Sequence, residues 1–155
     1  MKTIILYATK HGAAAEIAQR IAKLMDEAVI HDLKQAPVPS TDDYDCVIVG
    51  TSIYAGSILK EAKSYLIDNI EALSIKKLGL FISGMSTENE EEVLKASLPN
   101  ELLKSAAVAN ILGGIFDPEK AGFFSRLIMR IVTKQSGYVN TIKDEKIVQF
   151  VAGLQ

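Results

Sequence analysis

The hydrophobic positions of this chain follow two rhythms in turn. Short, uniformly apolar runs alternate with stretches in which apolar residues recur every three or four positions. The run Thr3-Ile4-Ile5-Leu6-Tyr7-Ala8 is β-branched and aromatic and predicts a buried strand. After the polar turn Thr9-Lys10-His11-Gly12, the residues Ile17, Ala18, Ile21, Leu24 and Met25 fall on one helical face, predicting a helix from Ala13 to about Glu27. Residues 28–33 read as a second strand, and residues 34–43, with Pro37 and Pro39, as a loop. Cys46-Val47-Ile48-Val49-Gly50 is a continuous apolar run typical of a strand covered on both faces.

The same alternation continues to the end. A helix is predicted from Ile58 to about Ile70, and a fourth strand from Lys76 to Ser83. The turn 84–87 offers Ser86 or Thr87 as a cap for a helix whose first turn is acidic, and Pro99 interrupts that helix. Ala106 to Ile115 reads as the fifth strand, Phe123 to Lys134 as a helix, and Asp144 to Leu154 as the last helix. Uniformly apolar strands separated by helices define an α/β domain with a parallel sheet covered on both faces, a three-layer sandwich with right-handed crossovers. Five strands in a chain of this size favour the order 2-1-3-4-5.

Composition narrows this picture. The chain has 155 residues, which fits a single domain, 1–155. A net charge of −2 argues against general nucleic-acid binding, so nucleic acid is not an expected partner. The single cysteine, Cys46, lies inside an apolar run, which rules out an internal disulfide and suits a reducing, cytoplasmic setting. The start of the chain does not read as a secretory signal, and no uncharged apolar stretch reaches the ~20 residues of a spanning helix.

In such a sheet, ligands bind outside the carboxyl ends of the strands where the strand order reverses, here between strands 1 and 3 with strand 4 adjacent. Three loops leave those strands. The first holds Thr9, Lys10, His11, Gly12, Ala13 and Ala14; the second Thr51, Ser52, Ile53, Tyr54, Ala55 and Gly56; the third Ser83, Gly84, Met85, Ser86 and Thr87. Glycine and hydroxyl residues let backbone approach a polar ligand. The first loop opens a helix, whose free N–H groups and roughly +0.5 of an elementary charge stabilise a phosphate. Tyr54 offers a ring for a flat heterocycle.

Tyr7-x-Thr9-x-x-Gly12-x-x-x-x-Ile17-Ala18 resembles the phosphate loop of the flavodoxin family, and Gly50-Thr51-Ser52-Ile53-Tyr54-x-Gly56 resembles its second, ring-flanking loop. The Gly-x-Ser-Ile-x-x-Gly pattern and the segment Phe123-Phe124-Ser125-Arg126-Leu127-Ile128-Met129-Arg130-Ile131-Val132-Thr133-Lys134-Gln135-Ser136-Gly137 resemble the flavodoxin-type, menaquinone-dependent protoporphyrinogen oxidases. The resemblance implies a flavodoxin-like fold and non-covalent FMN, with phosphate on the first loop and isoalloxazine between the second and third. In that subfamily electrons pass from protoporphyrinogen through flavin to a quinone. Ala13-Ala14-Ala15 stands where the family usually opens its helix with Thr or Ser. A lost hydroxyl to a charged phosphate costs roughly 1.5–3 kcal/mol, partly offset by Lys10 and His11, so FMN is expected to bind more weakly than in an ordinary flavodoxin.

Other chemistry-bearing residues read more plainly. His31 is expected to be structural, Cys46 to be core, and the acid run from Glu88 to Glu92 to be a solvated helical turn. No catalytic acid, base or metal site emerges from the spacing. Arg126, Arg130 and Lys134 form a basic stripe beside an apolar face, which reads either as a helix packed on the sheet or as a surface for peripheral contact with anionic lipid or a propionate-bearing porphyrin. Three functions stay open: an FMN oxidoreductase, a flavodoxin-like electron carrier without its own substrate site, and a flavin-free regulatory domain on the same fold.

Overall fold

The computed structural model describes residues 1–85, 88–119, 122, 127 and 137–155. Strands β1 (Lys2–Ala8), β2 (Glu27–Asp32), β3 (Cys46–Tyr54), β5 (Lys77–Ser83) and β6 (Val108–Ile111) run parallel in the order β2-β1-β3-β5-β6. This is the anticipated 2-1-3-4-5 order, with the short β4 (Ser57–Ile58) added antiparallel to β3. The parallel α/β fold expected from the alternating pattern, and implied by the resemblance, is therefore the one observed.

Alternate side chains of each strand feed two cores. Ile4, Leu6, Val47, Val49, Leu78, Leu80 and Ile82 pack against α2 (Lys60–Asp68), α3 (Ile70–Ser74), α4 (Glu90–Ser97) and α5 (Asn100–Ser105) through Ala62, Leu66, Leu73, Leu94 and Leu102. On the other face Ile5, Cys46, Ile48 and Phe81 meet α1 (Ala13–Lys23) and α6 (Asp144–Ala152) through Ile17, Ala18, Ile21, Ile147 and Phe150. Cys46 is core, as expected. Phe81 lies where a Cβ on Gly50 would sit, within 1.9 Å of the ring, so that residue must be glycine for β3 and β5 to pair at this register. Arg20 bridges α1 to α6, 2.8 Å from both Glu16 and Asp144.

Several boundaries depart from expectation. Helix α1 ends at Lys23, not Glu27, because Glu27 begins β2 and pairs with Lys2. Leu24, expected on its buried face, is instead exposed. The predicted helix from Ile58 starts two residues later and breaks at Asn69, since Ile58 pairs with Ile53 in β4. The fifth strand stops at Ile111, because Gly113 takes φ +88 and turns the chain away. Ile115–Phe116 (β7) then pairs antiparallel with Val139–Asn140 (β8), apart from the main sheet. Helix α4 is preceded by Asn89 at φ 55, with no side-chain cap hydrogen bond, and the expected caps Ser86 and Thr87 lie outside the described residues. Pro99 does separate α4 from α5. Nearly all of the expected helix from Phe123 to Lys134 lies outside the described residues. Among the described residues no helix is long and apolar enough to cross a membrane.

Candidate functional site

The sheet register brings the three loops to one edge. Ala8 pairs with Thr51, and Thr51 with Ile82, so β1, β3 and β5 carry their chain to the same level before turning.

In the first loop Gly12 takes φ 99, a left-handed conformation that glycine adopts without a Cβ penalty, immediately before α1. Its amide donates to the Thr9 hydroxyl at 2.9 Å. The first intrahelical bond runs from Glu16 N to Gly12 O at 2.9 Å, so the amides of Ala13, Ala14 and Ala15 are the first-turn donors. Ala14 itself is 0% exposed and packs in the core with Ile5 and Ile17. Its methyl faces away from the turn, and what this position offers a ligand is its backbone N–H.

The second segment is not a loop for most of its length. Thr51, Ser52, Ile53 and Tyr54 continue β3, and only Ala55 and Gly56 form the turn into β4. Both turn residues have positive φ, 49 and 79, as a two-residue type I′ hairpin requires. Thr51 is 1% exposed and its hydroxyl is engaged inside the hairpin, donating to Ser52 O at 3.0 Å and accepting from Leu59 N at 3.3 Å. The hairpin thus lifts Tyr54, 36% exposed, clear of the sheet edge.

Lys10 Nζ stands over the Tyr54 ring, 3.5 Å from its centroid, and the His11 ring meets Tyr54 edge-on at 6.4 Å. The first and second segments therefore share one cationic and aromatic surface. In the third segment Ser83 is buried, while Gly84 and Met85 are half-buried; Ser86 lies outside the described residues. A Cβ on Gly84 would fall 3.8 Å from Ile53, which places the third segment against the second.

Two contributors escaped the sequence reading. Lys34, just past β2, donates from Nζ to Thr9 O at 2.6 Å. Because β2 is the neighbour of β1, the strand order itself signals that its outgoing loop lies beside the first one. Gly113 and Gly114 pack behind Gly84. Away from this edge, Glu90 departs from its solvated neighbours in the acid run. Its carboxylate accepts from Ile111 N at 2.7 Å and Asn110 Nδ2 at 3.2 Å, beside a polar cavity of about 190 Å³ lined also by Lys146 and Gln149. Glu90 thereby satisfies edge groups of β6. His31 hydrogen-bonds Gln35 O at 2.9 Å.

A doubly wound α/β protein with a glycine turn, an open helix start and an exposed aromatic at its switch point is the class these features define. The Flavodoxin domain family matches residues 4–142, and the chain belongs to that family. Among solved structures, oxidised flavodoxin 1 from Bacillus cereus is similar at 20% identity and a TM-score of 0.54, covering 99% of this chain and 97% of that one. A flavoprotein in complex with FMN from Lactobacillus acidophilus is similar at 14% identity and a TM-score of 0.52, covering 73% of this chain and 91% of that one. A flavo di-iron protein from Thermotoga maritima is similar at 15% identity and a TM-score of 0.58, covering 99% of this chain and 35% of that longer one. No curated protein matches the sequence.

Proposed function

We propose that this chain binds FMN non-covalently at the edge formed by β1, β3 and β5 and serves as an electron carrier. The observation that carries the reading is the junction of Lys10 and His11 with Tyr54, which joins an open helix start to an exposed ring on the neighbouring strand. The residues present fit the group. The first-turn amides of Ala13, Ala14 and Ala15, with Lys10 and Thr9, would hold the phosphate by backbone N–H groups and local positive charge. Tyr54 and the backbone of Gly84 and Met85 would flank the ring. When bound, flavin supplies reversible electron transfer, and the chain supplies position and electrostatics. Dithionite reduction of the FMN-loaded protein, followed by mixing with cytochrome c, tests carriage. Reoxidation no faster than with free FMN sinks it.

A finer reading follows from the Gly-x-Ser-Ile-x-x-Gly pattern and the segment 123–137. Here porphyrinogen is the donor and a quinone the acceptor, and Phe123 to Lys134 makes peripheral membrane contact. The support is the sequence resemblance, and the segment lies almost wholly outside the described residues. Two assays separate this from plain carriage: anaerobic flavin reduction by protoporphyrinogen with quinone as acceptor, and flotation on anionic liposomes. Equal, negligible flotation of the wild type and an Arg126→Glu/Arg130→Glu/Lys134→Glu variant ends the membrane part.

A further inference from the structure

Gly113 and Gly114 leave β6 and pass directly behind the segment that follows β5. Gly84 N donates to Gly113 O at 3.0 Å. A methyl on Gly114 would fall 3.1 Å from the Gly84 carbonyl carbon and 3.3 Å from Met85 N, so only glycine allows this approach without displacing that segment. Gly114 is in turn clamped by Thr141, the residue after β8. Gly114 N donates to Thr141 Oγ1 at 3.0 Å, and Thr141 N donates to Gly114 O at 2.8 Å. The hydroxyl also lies 3.4 Å from Gly114 O as a donor. On the far side, a Cβ on Gly113 would meet Thr141 O at 2.4 Å, which fixes the separation of the two strands of chain. Gly113 and Gly114 are buried, so the Gly114 N–H has no solvent to fall back on if the hydroxyl is removed.

We propose that Thr141 is a positioning residue for the ring-binding segment: by clamping Gly114 it sets how the backbone of Gly84 and Met85 is presented to a flavin ring. The inference rests on the FMN reading above and extends it to a residue on the opposite side of the β7–β8 stem. A residue acting on the ring segment affects the isoalloxazine and not the phosphate. Riboflavin, which shares the ring and lacks the phosphate, separates the two.

The test compares wild type, Thr141→Val and Thr141→Ser for FMN and riboflavin dissociation constants and for the midpoint potential of the bound flavin. Thr141→Val keeps the shape and deletes the hydroxyl. Both flavins are expected to weaken by the same factor, about 3–10-fold for one buried hydrogen bond, with a shifted potential, while Thr141→Ser restores all three. A Thr141→Val protein that binds both flavins with wild-type constants and an unshifted potential overturns the proposal. Should that variant not fold, amide exchange on the wild type with and without riboflavin decides. Gly84, Met85 and Gly114 are expected to slow together; slowing of Gly84 and Met85 with Gly114 unchanged overturns it. A wild type that binds neither flavin removes the FMN reading itself, an outcome distinct from both.

Discussion

The Lys10 ammonium stands 3.5 Å from the centroid of the Tyr54 ring, so a residue of the first loop closes on a residue at the tip of β3. Such contacts at exposed sites are worth about 0.5–1 kcal/mol. The pairing makes the cation of the first loop and the ring at the tip of β3, which the FMN proposal assigns to the phosphate and to the isoalloxazine, a single unit. Lys10→Met is expected to weaken FMN about 3–10-fold through lost charge and riboflavin less, whereas Tyr54→Leu weakens both alike. In a double-mutant cycle read by FMN affinity the two effects are coupled, and strictly additive effects contradict the unit.

Lys34 is held to Thr9 O at 2.6 Å, which gives the first loop a second cation from outside its own sequence. Removing it loosens the turn that presents the α1 amides and lowers the local positive potential. Lys34→Met is expected to raise the FMN dissociation constant about 2–5-fold at low salt, with the difference shrinking as salt screens the charge. Titrations at two salt concentrations check this; an unchanged constant at low salt removes Lys34 from the site.

Ala55 occupies the first central position of the hairpin turn at φ 49. A Cβ in the left-handed region costs roughly 1–2 kcal/mol, which glycine or asparagine relieves. Ala55→Gly is expected to stabilise the chain by about 0.5–1 kcal/mol, read as a higher urea midpoint. Gly56→Ala, at φ 79, is expected to lower it.

Burial raises the Cys46 thiol above its ordinary 9.0 and the Tyr65 phenol above its ordinary 10.0. Tyr7 is raised as well, by burial and then by Asp32. Each group is neutral when protonated, so between its unfolded and folded pKa the folded chain holds protons that the unfolded chain has released. This contribution is full below about pH 9 and is lost as pH rises beyond it. Equal urea midpoints at pH 7 and 8 are expected, with a lower one at pH 10.5. Cys46→Ala starts less stable but loses less between pH 8 and 9.5. A midpoint that rises with pH contradicts this assignment.

Much of the fold is visible in the sequence because its strands are uniformly apolar. Ile4 and Ile5, or Val47 and Ile48, face opposite cores, and that pattern alone demands a sheet covered on both sides. What local pattern cannot supply is pairing. Glu27 reads as the end of a helix until Lys2 is seen to claim it; Thr51 and Ser52 read as loop until β5 pairs with them, and Ile53 and Tyr54 until β4 folds back on them. The first loop was legible in residue type but not in direction. Ala13-Ala14-Ala15 reads as a missing hydroxyl, yet the Ala14 side chain is core, and the charge near the loop includes Lys34 from the turn after β2. Gly113 and Gly114 fall within the predicted fifth strand; their role depends on Thr141, distant in sequence and therefore silent in any local reading.

FMN binding at the edge formed by β1, β3 and β5 is the proposal on which the others depend. Titrating a fixed low concentration of FMN with purified protein and following flavin fluorescence tests it most directly. Quenching is expected to saturate with one site per chain and to be weaker with Lys10→Met. Flavin emission that stays at its free value up to protein concentrations of about 100 μM, near −5.5 kcal/mol of binding free energy, would contradict it.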